Sequence, residues 1–304
     1  MSFQRVLLAS LSLVVLFGCG SETIQPTVFE DPSLEVAWTV SSAGGIAVSA
    51  DGRIYVSNPK ERSVQVFTTD GDPVRDWSPV SDGSLPLMPG AIAVDGDGVV
   101  TLLVSDYDVN RFPSITFRRI QRYSEAGTLL NEWESTTRQW AALDVDPAGN
   151  VFVLEAPGES PEERILRYSP DGALVAEWGP EQVASGAFEL LTDITFGGRD
   201  HLFVLDRNAR TVYEYTLDGN LVNSILLADG HSTDRFSVDI MGNLHVSRLR
   251  QDVICTYSGA GEFITEWGPI DQAILMSHEV NGKLFVVDLA VGSSDRRVSR
   301  WRLR

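Results

Sequence analysis

YSPDGALVAEWG, residues 168–179, is one copy of a pattern that recurs through the whole chain. An aromatic residue is followed by Ser or Thr, then by Gly four positions after the aromatic residue, and by Trp six positions after that Gly. Five copies keep these offsets, and only Ile225 departs from the residue type. The copies begin at Phe67, Tyr123, Tyr168, Tyr215 and Tyr257. The repetition indicates that the chain is built from copies of one structural unit.

A sixth copy is divided between the two ends of the chain. Trp301 stands where its first aromatic residue belongs, near the C-terminus, and Trp38 in LEVAWTV stands where its Trp belongs, near the N-terminus. An open stack of repeats needs polar caps at its ends, whereas a closed ring needs its first and last strands to pair. The split copy therefore predicts a ring closed between the termini.

Two short strands precede each copy of the pattern. Residues 45–58, GIAVSADGRIYVSN, and residues 142–155, ALDVDPAGNVFVLE, alternate apolar and polar positions around a turn that contains Gly. This alternation is typical of a β-hairpin. Together with the two strands of the repeated pattern, the hairpin predicts a unit of four strands.

The spacing of the units predicts the fold class. The matched positions of the innermost strand are separated by 46, 51, 51, 42 and 40 residues, and they are Val48, Val94, Val145, Phe196, Val238 and His278. These intervals are typical of propeller blades. We predict an all-β, six-bladed β-propeller with four-stranded blades over residues 34–304, in which the N-terminal strand completes the last blade.

The units resemble NHL repeats, and the resemblance covers residues 34–304. The residues that carry the resemblance are IAVSADGRIYVSN from Ile46 and RSVQVF ending at Phe67. The family implies a six-bladed propeller. Its members bind proteins, RNA or peptides and a few are enzymes, so the resemblance does not determine a function.

Charge restricts the choice of partners. The chain has 24 basic and 42 acidic residues, which gives a net charge of −18 at pH 7. Binding to nucleic acid depends on Lys and Arg neutralising phosphates, so a nucleic-acid partner is not expected. Nothing in the composition predicts an oligomer, and we expect a monomer.

The first 18 residues are predicted to be a signal peptide, because Arg5 precedes an apolar run that is too short to span a bilayer. The run ends in Leu16-Phe17-Gly18-Cys19, which resembles the lipobox of bacterial lipoproteins. The resemblance implies an exported protein with acyl chains on Cys19, anchored in the outer membrane if the cell has one. Residues 19–33 are then the lipidated cysteine and a polar tether. We expect Cys255, which lies in an apolar strand, to be a buried thiol.

Charged residues recur at the ends of the second and third strands of the units. Asp206 is followed by Arg210, whereas in the next unit Arg248 is followed by Asp252. An ion pair within a blade tolerates such an exchange of signs, but a shared ligand site does not. We predict structural ion pairs at these positions and no metal site.

Two acidic residues break the repeat on the innermost strands. Asp144 and Asp193, with Arg235 nearby, stand where other units have small residues such as Ala47. Sugar-lactone hydrolases have a six-bladed shape and hold a metal at the channel mouth, and the resemblance implies that these residues are the best matches to that site. The alternatives of structural pairing, ligand binding and catalysis remain open. No cofactor is expected, and calcium stays open as a ligand of this mouth.

An unusually long connection, residues 78–90, enters the second blade, and an unusually long loop, residues 107–117, follows its second strand. They carry apolar and polar side chains that could form a recognition patch or simply cover the channel mouth. The candidate ligand-binding residues are Leu85, Leu87, Met88, Tyr107, Asp108, Asn110, Arg111 and Phe112.

The sequence favours a binding or scaffold module of the cell envelope over an enzyme. Its expected partner is an envelope protein or glycan. The alternative is a metal-dependent hydrolase or lyase that uses the channel mouth around Asp144 and Asp193.

Overall fold

A computed structural model describes most of the propeller. The described residues are 32–81, 86–106, 117–135, 137–156, 163–197, 200–227, 235–248, 251–270, 272–279, 282–289 and 294–303, with the backbone alone at 106, 117, 118, 156, 278 and 279. The propeller belongs to the unit Asp31–Arg304. Within the described part of the chain, no helix has the length and apolar character needed to cross a membrane.

Regular structure in the described residues is almost entirely β. The strands are β1 (Ser33–Val40), β2 (Gly45–Val48), β3 (Ile54–Asn58), β4 (Ser63–Phe67), β5 (Pro73–Trp77), β6 (Leu87–Val94), β7 (Val100–Asp106), β8 (Phe117–Tyr123), β9 (Leu129–Glu134), β10 (Gln139–Val145), β11 (Val151–Ala156), β12 (Arg164–Tyr168), β13 (Leu174–Trp178), β14 (Leu191–Gly197), β15 (His201–Asp206), β16 (Thr211–Tyr215), β17 (Leu221–Leu226), β18 (Phe236–Val238), β19 (Leu244–Arg248), β20 (Val253–Tyr257), β21 (Phe263–Trp267), β22 (Leu275–Glu279), β23 (Lys283–Leu289) and β24 (Arg296–Arg302). A single 3-10 turn, Pro180–Gln182, links blades 3 and 4.

The strands form six antiparallel blades of four strands each. Blades 1 to 5 are β2–β5, β6–β9, β10–β13, β14–β17 and β18–β21, and blade 6 consists of β22, β23, β24 and β1. Blades 2 and 3 also share a single pairing, between Trp140 and Phe117. The predicted fold class and the predicted order of strands are confirmed.

Strand β1 closes the ring. It pairs antiparallel with β24, and Trp38 lies opposite Val298. A β-bulge between Leu34 and Val36 displaces Glu35 from the regular register. The Glu35 carboxylate lies 2.5 Å from Arg302, 3.0 Å from Arg300 and 3.9 Å from Lys283. The first and last strands are therefore joined by side-chain ion pairs as well as by backbone hydrogen bonds.

The repeated pattern joins neighbouring blades. Each Gly of the pattern has a positive φ in the turn between the third and fourth strands, and the Trp of the preceding blade covers it. A Cβ placed on these glycines would lie 2.7–2.9 Å from the nearest indole atom. The pairs are Trp38 on Gly71, Trp77 on Gly127, Trp133 on Gly172 and Trp178 on Gly219, and Ile225 takes the place of Trp on Gly261. The Gly of each copy contacts the preceding blade, and the Trp of the same copy contacts the following blade. The spacing between Gly and Trp is constant because both contacts recur at each blade interface.

The core lies between the blades and not at the centre of the ring. Apolar side chains of adjacent sheets pack in clusters that each draw on two blades, and the aromatic residues that begin the pattern are buried within them. Cys255 is fully buried in one cluster, where burial raises the pKa of its thiol. Side chains at the middle of the ring are therefore not needed for packing, which leaves a channel.

Strand direction defines the two ends of that channel. We call the end at which the innermost strands begin the entrance, and the end at which they finish the exit. Because the strands of each blade are antiparallel, the turns between first and second strands and those between third and fourth strands lie at the exit. Connections between blades lie at the entrance.

Candidate functional site in the central channel

Residues at two levels of the innermost strands line a channel of about 750 Å³. Residues of the middle level lie opposite matched positions of the second strands. Residues of the entrance level lie two positions earlier in each innermost strand. The middle level consists of Ala47, Ala93, Asp144, Thr195, Ser237 and Ser277. The entrance level consists of Gly45, Ala91, Ala142, Asp193, Arg235 and Leu275.

The charged and hydroxyl-bearing residues of both levels lie on one side of the channel. Blades 1 and 2 contribute only Gly and Ala, whereas the charged residues come from blades 3, 4 and 5 and hydroxyl groups come from blades 4, 5 and 6. We call Asp144, Asp193, Arg235, Thr195 and Ser237 the polar arc. The repeat alone would make all six blades alike, so this asymmetry marks the channel as the place where the chain departs from its own pattern.

Asp144 joins blade 3 to blade 4. Its carboxylate accepts hydrogen bonds from the backbone N–H of Val145 at 2.8 Å and from that of Phe196 at 2.7 Å. Protein surrounds the group on every side except the channel. Burial raises the pKa of Asp144 to about 7, and the nearby Asp193 adds to the rise, although the two N–H donors act against it.

Asp193 repeats this arrangement one blade further on. Its carboxylate accepts hydrogen bonds from the N–H of Ile194 at 3.2 Å and from that of Phe236 at 3.1 Å. Burial raises the pKa of Asp193 to about 6, and the Arg235 guanidinium limits the rise. Asp193 lies at the entrance level and Asp144 at the middle level, because Asp193 stands two residues before Thr195, the blade 4 residue that matches Asp144.

Arg235 is held across two blade interfaces. Its Nη1 donates to the Thr192 carbonyl oxygen at 2.9 Å and its Nε donates to the Ile274 carbonyl oxygen at 3.2 Å. These bonds fix the guanidinium beside Asp193. The structure thus brings the three charged residues predicted at the channel mouth into one channel.

The polar arc can bind polar groups and can exchange a proton. Each carboxylate oxygen is used by one N–H donor and has a further lone pair, and acids with a pKa near 6 or 7 change charge near neutral pH. The arc does not fit a divalent cation. No group of three His, Cys, Asp or Glu side chains that could hold a metal is found among the described residues, and the third charged group of the arc is a guanidinium.

The charged residues at the strand ends have structural partners, but the partners differ from the predicted ones. Asp206 accepts the backbone N–H of Glu189, Leu190 and Ala209 at 2.8–3.1 Å. Arg210 has a positive φ in the turn that Asp206 caps. Within the described residues, the Asp206 carboxylate therefore bonds to the turn backbone instead of pairing with the Arg210 guanidinium.

The exchange of signs in blade 5 has a similar explanation. Arg248 donates to Gln251 at 3.1 Å and pairs with Glu266 on the outer strand at 3.3 Å. The Asp252 carboxylate accepts the backbone N–H of Gln272 at 3.3 Å. Arg248 therefore stabilises its own blade and Asp252 holds the connection to blade 6, each through a partner that the repeat pattern alone did not identify.

The recognition patch predicted on the long loops falls mainly outside the described residues, which is the case for Leu85, Tyr107, Asp108, Asn110, Arg111 and Phe112. Leu87 is only 4% exposed and packs in the core between blades 1 and 2, so it is not available to a ligand. Met88 is half-buried and lines the channel at its entrance. Of the two described residues of the patch, Met88 lines the channel and Leu87 does not.

One arrangement was missed by sequence reasoning. His245 lies between Asp239, whose Oδ2 is 3.4 Å from Nε2, and Thr256, whose Oγ1 is 3.1 Å from Nδ1. Burial acts against ionisation of Asp239, but hydrogen bonds from His245 and Asn243 lower its pKa to about 2. His245 and Thr256 are both buried, so the hydroxyl cannot reach a substrate and the group is structural. The sequence feature that indicates this group is His245 itself, which stands where other blades have an aromatic residue.

Comparison with known proteins defines the class. No protein-family model matches the sequence, and no curated protein matches it. Solved structures are similar in fold. A virginiamycin B lyase from Staphylococcus aureus has a TM-score of 0.60 and 13% identity over 90% of this chain and 100% of its own.

Two further structures give the same result. A calcium-binding protein, regucalcin, from Agrobacterium tumefaciens has a TM-score of 0.60 and 13% identity over 91% of this chain and 96% of its own. A luciferin-regenerating enzyme has a TM-score of 0.60 and 13% identity over 89% and 95%. The chain is a six-bladed β-propeller, and its structural neighbours include a lyase, a calcium-binding protein and a luciferin-regenerating enzyme. At these identities the likeness establishes the fold alone.

Proposed function

We propose that this protein is a lipid-anchored binding module of the bacterial envelope, and that the polar arc is its ligand-contacting surface. The anchor would be acyl chains on Cys19, followed by the tether at residues 19–33. The propeller would be of the NHL type and would bind a protein or a glycan exposed in the envelope.

The observation that supports this proposal is the asymmetry of the channel. A ring of repeats with no ligand needs no charge at its centre, because the core lies between the blades. Charge placed there costs free energy of desolvation, which the backbone N–H donors and Arg235 only partly offset. A ligand that hydrogen-bonds to Asp193, Arg235 and the hydroxyl groups would offset the remainder.

The ligand expected from this geometry enters the channel with a narrow polar end. A sugar residue or a protruding protein segment meets this requirement, because the Gly and Ala of blades 1 and 2 leave space opposite the arc. Carboxylates, a guanidinium and hydroxyls are suited to sugar hydroxyls and to peptide groups.

Affinity capture from solubilised envelopes tests the assignment. The propeller should retain a partner that is lost from a variant with Asp193→Asn and Arg235→Gln. Asp97→Asn, on an exposed turn at the exit, is the matched control and should retain the partner. Equal retention by both variants would show that the arc is not the binding surface, and the loop at residues 107–117 would then be shortened as the next candidate.

The pKa of Asp144, about 7, favours a second candidate function. An acid of this pKa inside a channel can donate or accept a proton, as required for a hydrolase or lyase, with Arg235 holding an anionic group of the substrate. Turnover that follows a single ionisation near pH 7 and is abolished by Asp144→Asn would support this role. The described residues do not supply the donor set for a metal, so no metal-dependent step is derived.

A further inference from the structure

Two large apolar side chains stand exposed at the exit of the channel. Ile240 is 59% exposed and Met241 is 72% exposed, and they form the tip of the turn between β18 and β19. The corresponding tips in blades 1, 2 and 3 are Ala-Asp, Gly-Asp and Pro-Ala, at residues 50–51, 96–97 and 147–148. Blade 5 therefore departs from the repeat on this face.

Hydrogen bonds hold the turn that presents these side chains. The Asp239 carboxylate accepts the backbone N–H of Met241 and that of Asn243, both at 2.8 Å. The N–H of Gly242 donates to the Asp239 carbonyl oxygen at 2.9 Å, and Gly242 supplies the positive φ that the turn requires. These hydrogen bonds hold the apolar tip in place, so its position does not depend on packing against the blades.

The N-terminal strand begins on the same face. Strand β22 runs from entrance to exit, and β23, β24 and β1 alternate in direction, so β1 starts at the exit. Lys283, at the exit end of β23, confirms this placement through its ion pair with Glu35. Leu34, at the start of β1 in blade 6, is 49% exposed. Any chain that precedes β1 is joined to the ring at its exit face.

We propose that the exit face contacts the lipid surface through Ile240, Met241 and Leu34, so that the entrance and the polar arc point away from the membrane. The inference rests on the lipid anchor of the proposed function. Residues 20–33 span at most about 50 Å when fully extended, and a tether of this length lets the exit face rest on the bilayer surface. The net charge of −18 provides no attraction to anionic headgroups. The contact is therefore apolar and should persist at high salt, as shallow insertion of apolar side chains does.

Site-specific labelling of the full-length lipidated protein tests this orientation. Cys255 is fully buried and Cys19 is acylated in the proposal, so a cysteine introduced by Met241→Cys is the one that reacts with a polarity-sensitive fluorophore. Lys60→Cys is the matched control, because Lys60 is exposed at the tip of a turn at the entrance. The probes are phosphatidylcholine vesicles with and without brominated acyl chains, and iodide in the aqueous phase.

The label at position 241 should be quenched by brominated lipid and should lose its quenching by iodide, whereas the label at position 60 should show the reverse. The double change Ile240→Ser and Met241→Ser should abolish lipid quenching of a label at position 34. Vesicle-bound protein whose label at 241 remains open to iodide would overturn the orientation while the anchor stands. Protein that does not sediment with vesicles at all would overturn both.

Discussion

The indole of Trp133 in blade 2 lies over Gly172 of blade 3, so close that a Cβ on Gly172 would be 2.8 Å from the ring. Gly172 also has a φ of +89°. The same contact recurs around the ring, and it explains why Gly and Trp stay six residues apart in one unit although they touch different neighbours. The recurring contact between Trp and Gly explains why the pattern is repeated along the chain.

Gly172→Ala should lower the free energy of unfolding by about 2–5 kcal/mol, as the sum of left-handed backbone strain and overpacking against Trp133. Gly98→Ala is the matched control, because Gly98 has a φ of +78° and nothing within 4 Å of the added Cβ. It should cost only the backbone contribution, about 1–2 kcal/mol. Urea denaturation of both variants checks this, and equal losses would show that the Trp contact carries no energy.

Glu35→Gln should destabilise the ring at its closure. Glu35 is only 15% exposed in its side chain, and its carboxylate faces Arg300, Arg302 and Lys283. Loss of the charge should cost about 1–3 kcal/mol, since partly buried cations lose their partner. Glu125→Gln removes a pair with Arg75 at a side chain that is 51% exposed and should cost about 0–1 kcal/mol. Thermal denaturation of the two variants would contradict this if their melting temperatures fell equally.

Asp144 should make stability depend on pH. Its pKa is raised from 3.8 to about 7 in the folded protein, so the folded state holds a proton that the unfolded state has lost between these values. The contribution is fully present below about pH 4 and is lost as pH rises through 7, by about 1.4 kcal/mol for each pH unit between the two pKa values, reduced by water in the channel. The difference in melting temperature between Asp144→Asn and wild type should therefore change in favour of the variant from pH 5 to pH 8. Asp72→Asn, at an exposed turn, should run parallel to wild type, and a parallel profile for Asp144→Asn would be evidence against a raised pKa.

Cys19→Ala should release the protein from membranes. Loss of the acyl chains removes the anchor that the proposal assigns to Cys19, and residues 20–33 that follow are mostly polar. Fractionation of cells that express the variant should find the propeller in the soluble fraction of the envelope, while the wild type sediments with membranes. Sedimentation of the variant with membranes would contradict the lipoprotein proposal.

The fold was predictable because each blade repeats the same physical solution. The spacing of Gly172 and Trp178 and the split copy at Trp38 and Trp301 were enough to predict six closed blades. The partners of charged side chains were not predictable. The sequence places Asp206 four residues before Arg210 and so suggests an ion pair. In the structure, however, the Asp206 carboxylate accepts backbone N–H groups near the tight turn.

The candidate site was predictable only in its composition. Asp144, Asp193 and Arg235 were identified because they interrupt small residues on the innermost strands. The raised pKa values of Asp144 and Asp193 depend on burial between blades. This burial cannot be read from a local pattern, because it arises when six separate sheets are assembled.

Photo-crosslinking in the intact envelope tests the proposed function most directly. A photoreactive amino acid at Thr195, which belongs to the polar arc and lines the channel, should form an adduct with a specific envelope protein or glycan. The adduct should disappear when Asp193→Asn and Arg235→Gln are combined with it. The same amino acid at Leu130, which is 55% exposed on the outer strand of blade 2, is the control. An adduct at Leu130 with none at Thr195 would contradict the proposal that this propeller binds its partner through the channel.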